Sequence, residues 1–113
     1  MTVTIYHNPH CSHSRKALET IRARGIEPEI IEYLKTPLSP NKLHHLIQQM
    51  NVPVRAAMRT QEPVYAEMKL DDADDDTLFA VMAMHPILLN RPIVVTEKGA
   101  MLCRTDGAVE RLL

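Results

Sequence analysis

The sequence predicts an α/β fold in which a helical insert separates the two halves of a mixed four-stranded sheet. A β-prone run, a helical run and a second β-prone run open the chain, and two β-prone runs joined by a turn follow near its end. Between these halves, residues from about 38 to 90 show helical spacing and proline-initiated turns. We therefore expect a β-α-β unit, a helical insert and a C-terminal β-hairpin.

The first strand and the first helix meet at a cysteine. Val3 and Ile5 belong to an apolar run that the turn signal Asn8-Pro9 ends. Apolar residues then recur at the three-and-four spacing of a helix that stops at Gly25. Cys11 therefore lies at or near the N-terminus of this helix.

The second strand is predicted at residues 29–34. Because crossovers between strands of one sheet are right-handed, this strand should lie parallel to the first. The insert then opens with a helix that has Ser39 as its N-cap and Pro40 at its first position. This helix should end near Asn51.

Three further helical segments are predicted in the insert. The first follows Pro53 and would place Arg55 and Arg59, four residues apart, on one face. The second begins at Pro63 and is short. The third covers about 71–85 and starts with a run of aspartates, whose charge complements the helix dipole.

The chain should close with a hairpin and a short helix. A strand is predicted at 93–96, a turn at Lys98-Gly99 and an antiparallel strand at 100–103. Thr105 or Asp106 can cap the last helix. Two parallel strands joined to an antiparallel pair, with an α-helix between the first two, form the thioredoxin-like arrangement.

Length and composition limit the possible classes of fold and function. The 113 residues suit a single domain over 1–113, with the insert at about 38–90, and 45% apolar residues supply a core. A net charge of −1 argues against a general nucleic-acid or anionic-membrane surface. There is no long apolar run and no secretory signal, and the two cysteines are far apart and unlike a disulfide framework. A cytoplasmic location is expected.

Cys11 is the candidate nucleophile. The first N–H groups of a helix lack partners and the macrodipole is positive there, so a thiolate or a bound oxyanion is favoured. A neighbouring cation lowers a thiol pKa further, and Arg15 leans back toward the helix start by the usual side-chain direction. These residues predict a reactive thiol in a site that can also bind an anion.

His7 and Ser14 are candidate supporting residues. A partly protonated His7 would add positive charge or donate a hydrogen bond, and the Ser14 hydroxyl, on the same side as Cys11, could donate another. Ser14 also takes the place of the second cysteine in a Cys-x-x-Cys motif. A resolving thiol must therefore come from Cys103, if it lies nearby, or from another molecule.

Two other interpretations of this segment remain open. Cys11 could be an inert cap residue among solvated histidines, although a free thiol beside an arginine at a helix start is a recognised reactive environment. His7, His10, Cys11 and His13 could also form a metal site. Structural zinc ligands usually come as two separated pairs, so we favour the interpretation without a metal.

Residues 5–15 contain the pattern N-P-x-C-x-x-S-R, which resembles the signature of the thioredoxin-like, glutaredoxin-dependent arsenate reductase family. Further segments resemble that family in the same order along the chain, at 32–37, 54–59, 85–95 and 102–104. Several ordered motifs are more specific than one short pattern. Because the chain ends at Leu113, soon after the last predicted helix begins, the likeness is to the short arsenate-reductase-like branch.

The resemblance implies a set of site residues. Cys11 would be the nucleophile, and Arg59, Arg91 and Arg104 would surround the arsenic oxyanion. Guanidinium groups suit this role because they stay charged and their forked donors match an oxyanion. Without the resemblance, a solvated or salt-bridged surface position would be the more common role for each of these arginines. Pro92 is implied to be the cis-proline of the fold.

The resemblance also implies the reaction. The Cys11 thiolate would attack arsenate and form a thiol-arsenate intermediate, which glutathione and glutaredoxin would then convert to arsenite. Glutathione acts here as a co-substrate, and no bound cofactor or metal is expected. Cys103 is expected to be a buried apolar residue outside the site.

Two other classes of function stay open. A thiol-redox protein or a regulator of the Spx type, which contacts RNA polymerase, could share the fold, although Ser14 removes the Cys-x-x-Cys switch that such regulators often use. A tyrosine-phosphatase-like reductase would need the pattern C-x5-R. Here Arg15 follows Cys11 after only three residues. The thiol could also act on a different oxyanion or on a protein disulfide.

Overall fold

The computed structural model describes residues 2–113. The helices and strands of this range are β1 (Thr4–Tyr6), α1 (Ser12–Ala23), β2 (Glu29–Ile31), α2 (Pro40–Met50), α3 (Pro63–Glu67), α4 (Asp75–Met84), β3 (Ile93–Thr96) and β4 (Gly99–Leu102). Short 3-10 helices occur at Val54–Ala57, Leu70–Asp72, Pro86–Leu88 and Val109–Arg111. Within residues 2–113, no helix combines the length and the apolar character needed to cross a membrane.

The chain divides into two compact units. The first unit joins the residues up to Thr36 with Arg91–Leu113, and the second is Pro37–Asn90. The second unit covers nearly the same residues as the helical insert expected at about 38–90. The organisation of 1–113 as a single domain stays a prediction.

The first unit contains a mixed four-stranded sheet in the order β2-β1-β3-β4. β1 pairs in parallel with β2 and antiparallel with β3, and β3 pairs antiparallel with β4. Ile5 is central, because it lies opposite Ile30 on one side and Val94 on the other. The predicted fold class is confirmed.

Two strand boundaries differ from the prediction. β2 ends at Ile31 because the N–H groups of Lys35 and Thr36 bond back to the carbonyl oxygen of Glu32, which forms a turn where strand was expected. The turn of the hairpin is at 97–98, so β4 already begins at Gly99. Gly99 has φ +138°, a conformation that side-chain-bearing residues rarely adopt.

The core of the first unit attaches α1 to one face of the sheet. Ala17 and Ile21 are the buried apolar residues of α1, and Ile21 is fully buried. They pack in one cluster with buried residues from the strands and from the C-terminal segment: Val3, Ile5, Val94, Cys103, Ala108, Val109 and Leu112. This packing fixes the position of the helix whose first turn follows Cys11.

The second unit is built from capped helices. The Ser39 hydroxyl oxygen accepts a hydrogen bond from the Lys42 N–H at 3.2 Å, and Asn51 ends α2 in the left-handed conformation at φ 57°. Both predicted ends of this helix are confirmed. α4 packs against α2 and begins later than expected, because Asp74 caps it through the Thr77 N–H.

The prediction that Arg55 and Arg59 share a helix face is wrong. The 3-10 helix ends at Ala57, and Met58 is extended and pairs with Leu89 in an isolated β-bridge. The Arg55 guanidinium donates to the hydroxyl of Tyr65 and to the main-chain carbonyl oxygens of residues 70, 71 and 73. The strand pairing at Met58 therefore interrupts the helical periodicity before Arg59.

The burial of Ile21 gives a test of this packing. Ile21→Ala should lower the free energy of unfolding by about 2–5 kcal/mol, because it leaves a cavity between α1 and the sheet. Glu19→Ala, on the exposed face of the same helix, should change it by no more than about 0.5 kcal/mol. Urea unfolding followed by circular dichroism measures both. Equal effects of the two substitutions would contradict the packing of α1 described above.

Candidate active site

The chain turns sharply just before α1 and places Cys11 at the N-cap of this helix. The Cys11 N–H donates to the carbonyl oxygen of Asn8 at 3.0 Å, and the Cys11 carbonyl accepts the Arg15 N–H at 3.0 Å. The main chain at Cys11 is extended, with φ −98° and ψ 123°, and the residue is 7% exposed. Its thiol therefore lies at the end of α1 that carries unpaired N–H groups and positive dipole charge.

The pKa of the Cys11 thiol is lowered from its ordinary value, although burial by itself raises it. The main-chain N–H of Ser14 donates to the sulfur and has the largest lowering effect, followed by the charge of Arg91. The His13 N–H and the Arg104 guanidinium also donate to the sulfur. The negative thiolate is stabilised by the first turn of α1 together with two arginines.

The C-terminal hairpin brings Arg91 and Arg104 together near the thiol. Nη1 of Arg104 lies 3.9 Å from the Cys11 sulfur and donates to the Arg91 carbonyl oxygen at 2.8 Å. The Arg91–Pro92 peptide bond is cis, as expected, and the Pro92 carbonyl oxygen accepts the Cys103 N–H at 2.8 Å. The segment before β3 and the segment after β4 thus hold the Arg104 guanidinium beside the sulfur and the charge of Arg91 near enough to lower the pKa of Cys11.

Ser14 supports the site differently from the prediction. Its side chain is fully buried, and its hydroxyl oxygen accepts the Asn8 N–H at 3.0 Å and lies 2.6 Å from Nδ1 of His7. The hydroxyl is therefore engaged by the loop before the helix, and the main-chain N–H of Ser14 is the group that donates to Cys11. The expected side-chain hydrogen bond to the thiol is a main-chain hydrogen bond instead.

His7 is buried beneath the loop. Burial lowers the pKa of its imidazole, Arg22 and Arg15 lower it further, and the nearby charge of Glu32 opposes this shift. The ring is therefore neutral near pH 7 and adds little positive charge at the thiol. Its contact with Ser14 makes it a support for the loop.

Arg15 leans back toward the helix start, as predicted, but it does not contact the sulfur. Its Nη1 donates to the carbonyl oxygen of Pro9 at 2.9 Å, and the side chain is exposed. Arg15 therefore joins α1 to the loop that precedes Cys11.

Arg59 belongs to the second unit. Its N–H donates to the Leu88 carbonyl oxygen at 2.7 Å, and its guanidinium pairs with the Glu62 carboxylate at 3.2 Å. Both side chains of this pair are partly buried, at 24% and 20% exposed. The β-bridge between Met58 and Leu89 fixes the main chain on which Arg59 lies. Its role as an oxyanion ligand stays a prediction.

Cys103 has a different environment from Cys11. It is buried in the core of the first unit, where burial raises the pKa of its thiol to about 11. It is therefore a neutral apolar residue at physiological pH, as expected. Among residues 2–113, no group of three or more His, Cys, Asp or Glu side chains is placed to hold a metal ion.

Sequence reasoning did not give Asn8 its full importance. The pattern Asn8-Pro9 indicates only a turn, yet Asn8 makes three of the hydrogen bonds that shape the loop. Its Oδ1 accepts the His10 N–H, its carbonyl oxygen accepts the Cys11 N–H, and its N–H donates to Ser14. The tendency of asparagine to bond to its own main chain two residues on was the signal available in the sequence.

Alkylation of the two thiols tests these electrostatics. Iodoacetamide should modify Cys11 with a midpoint pH below that of an ordinary thiol, and Cys103 should stay unmodified over the same range. Arg104→Ala removes a hydrogen bond to the thiolate, so the Cys11 midpoint should move to higher pH. Arg111→Ala, an exposed arginine on the last 3-10 helix, serves as the control and should leave it unchanged. If Arg104→Ala left the alkylation midpoint of Cys11 unchanged, the stabilisation of the thiolate by Arg104 would be contradicted.

Comparison with known proteins covers almost the whole chain. The model of the ArsC family matches residues 6–112. An arsenate reductase of Escherichia coli is 50% identical over 113 residues, which cover 98% of this chain and 80% of that protein. An arsenate reductase of Rhizobium meliloti (strain 1021) is 46% identical over 115 residues and covers 100% of this chain and 82% of that protein.

The fold agrees with these sequence matches. The solved structure of an arsenate reductase from Vibrio cholerae superposes with a TM-score of 0.96 at 46% identity, covering 100% of this chain and 98% of that one. The resemblance drawn from the cysteine motif is confirmed. Matched along nearly its whole length in sequence and in fold, the chain belongs to the ArsC family.

Proposed function

We propose that this protein is an arsenate reductase that converts arsenate to arsenite through a covalent adduct at Cys11. The observation that carries the proposal is the Cys11 thiol at the start of α1, with a lowered pKa and with Arg91 and Arg104 beside it. The identity of 50% with an arsenate reductase of Escherichia coli supports the choice of substrate. A thiol of this kind needs a reducing compartment, so we place the reaction in the cytoplasm.

The first step is substitution at arsenic. The Cys11 thiolate attacks, an S–As bond forms and an As–O bond breaks, and the departing oxygen leaves as water after protonation. Arsenic remains in its +5 state. Arg91 and Arg104 can hold the other oxygens, because guanidinium groups donate several hydrogen bonds to a tetrahedral oxyanion. Arg59 is the third proposed ligand of the oxyanion.

The reduction uses two thiols from other molecules. Glutathione displaces a second oxygen as water and forms an As–S bond, still at arsenic +5. A glutaredoxin thiol then attacks the glutathione sulfur, the electron pair of the As–S bond stays on arsenic, and a mixed disulfide of glutathione and glutaredoxin leaves. Water finally displaces the Cys11 thiolate from arsenic +3, which releases arsenite. Cys103 is buried with a raised pKa and takes no part.

Around Cys11, main-chain N–H groups stabilise the thiolate and side chains hold the loop in shape. The N–H groups of His13 and Ser14 stabilise the thiolate both as attacking and as leaving group. His7 and Ser14, through their hydrogen bond, keep the loop in the shape that aims these N–H groups at the sulfur. Arg15 holds the same loop through Pro9. Preorganised donors of this kind are effective because they need no reorganisation during the reaction.

An assay of arsenate-dependent NADPH oxidation tests the proposed reaction. With glutathione, glutathione reductase and glutaredoxin supplied, the wild-type protein should turn over and Cys11→Ser should not exceed background. Arg91→Ala and Arg104→Ala should each lower kcat/KM by about 100-fold, because each removes a charged donor from the oxyanion. Arg111→Ala should leave kcat/KM unchanged.

Absence of wild-type turnover above the Cys11→Ser background would refute arsenate reduction. If the alkylation midpoint of Cys11 were still low in that case, the result would favour a thiol-redox or Spx-like regulatory protein of the same fold. The two experiments together therefore separate the substrate assignment from the reactivity of the thiol.

Omission of single components tests the reductant. No arsenite above background should form when glutaredoxin or glutathione is left out, because arsenic then stays at +5 on Cys11 and the chain has no second reactive thiol to complete the reduction. Mass spectrometry of the stalled protein should find an arsenic adduct on Cys11. Sustained turnover with thioredoxin alone would contradict the assignment of glutaredoxin.

A further inference from the structure

A cavity of about 350 Å³ lies between α1 and the segment that follows β4. Ser12, His13 and Lys16 line it from the helix, and Arg104 and Asp106 line it from the C-terminal segment. Sites for small molecules typically have volumes of about 300–1,000 Å³. The cavity is therefore large enough for a small ligand, and no ligand is assigned to it above.

The cavity begins next to the nucleophile. Ser12 directly follows Cys11, and Arg104 both lines the cavity and donates to the Cys11 sulfur at 3.9 Å. A ligand in the cavity can therefore direct a reactive group at an adduct on Cys11. The second proposed step of the reaction needs such a ligand, because a small thiol must attack arsenic while it is bound to this sulfur.

The polar residues of the cavity offer both signs of charge side by side. The Lys16 ammonium and the Asp106 carboxylate meet at 2.6 Å, and their side chains are 67% and 89% exposed. An exposed pair of this kind contributes little to stability. Its two charges are instead accessible to a ligand that carries an ammonium and a carboxylate on one carbon atom.

The rise along α1 between Cys11 and Lys16 is of the same order as the length of glutathione. Lys16 lies five residues after Cys11, which at 1.5 Å per residue is a rise of about 7.5 Å along the helix. In glutathione, the amino-acid group of the γ-glutamyl residue is separated from the thiol by an extended chain of about 8 Å, from bond lengths of about 1.5 Å. A γ-glutamyl group at Lys16 and Asp106 thus allows the thiol to reach Cys11.

We propose that this cavity binds the glutathione that attacks the Cys11 adduct, with Lys16 holding the α-carboxylate and Asp106 the α-ammonium of its γ-glutamyl residue. The inference rests on the proposed function, because it takes glutathione to be the second thiol. Cys103 forms part of the cavity wall, and its buried thiol stays neutral and does not compete with the ligand.

The test uses a disulfide on Cys11 and needs no arsenate. Cys11 is converted to a mixed disulfide with thionitrobenzoate, and the release of the coloured thiolate is followed with glutathione or with uncharged 2-mercaptoethanol. In this exchange the added thiolate forms a disulfide with Cys11 as the thionitrobenzoate leaves. Wild-type rates should saturate with glutathione and rise linearly with 2-mercaptoethanol.

Two variants and a control probe the charges. Lys16→Gln and Asp106→Asn should each lower the rate ratio of glutathione to 2-mercaptoethanol about three- to fivefold, in keeping with exposed ionic contacts. Their rates with 2-mercaptoethanol should not change, because this thiol has no amino-acid group for either residue to bind and neither residue is among those that shift the pKa of Cys11. Lys42→Gln, the same change on an exposed residue of α2, should keep the wild-type ratio.

An unchanged ratio in both variants would overturn the assignment of the cavity, and so would an equal loss of rate with both thiols. These outcomes are independent of the arsenate assay. A lowered ratio in a protein that fails to reduce arsenate would support the glutathione site and refute the proposed reaction. Arsenate turnover with an unchanged ratio would support the proposed reaction and refute the glutathione site.

Discussion

The candidate site depends on the hydrogen bonds that hold the loop before α1 against the first turn of this helix. The buried Ser14 hydroxyl receives the Asn8 N–H and contacts His7, while Asn8 accepts the N–H groups of His10 and Cys11. These bonds leave the Ser14 N–H aimed at the Cys11 sulfur. Without them, the cysteine would still precede a helix, but its thiolate would lose the donor that lowers its pKa most.

The C-terminal part of the chain makes the second contribution to the low pKa of Cys11. Antiparallel pairing of β3 with β1 and β4 brings the segment around Arg91 and Arg104 to the edge where α1 begins. The hydrogen bond between the Arg104 guanidinium and the Arg91 carbonyl keeps both residues in place. Two positive charges and the N-terminus of a helix then act on one sulfur, which suits a group that must bind an oxyanion, attack it and later leave.

The two cysteines show how far environment controls reactivity. Both are buried as residues, yet the pKa of Cys11 is lowered and that of Cys103 is raised to about 11. Cys11 has main-chain N–H groups and positively charged guanidinium groups near its sulfur. Cys103 instead lies in the apolar core cluster that α1 forms with the sheet. The contrast agrees with the proposed mechanism, in which Cys11 is the one reacting thiol of the protein.

The sequence by itself determined most of the fold and pointed to Cys11 as the candidate nucleophile. Periodicity, caps and turns located α1, α2 and the hairpin, since these are local signals, and the cysteine motif indicated the family. Local signals failed at Arg59, where the bridge between Met58 and Leu89 overrides the helical spacing. They gave the direction of the Arg15 side chain but not the hydrogen-bond partners of Ser14 and Arg15, because these partners depend on how the loop folds back. Only the tertiary structure placed Arg104 at 3.9 Å from the Cys11 sulfur, since that contact joins residues far apart in the chain through the pairing of the sheet.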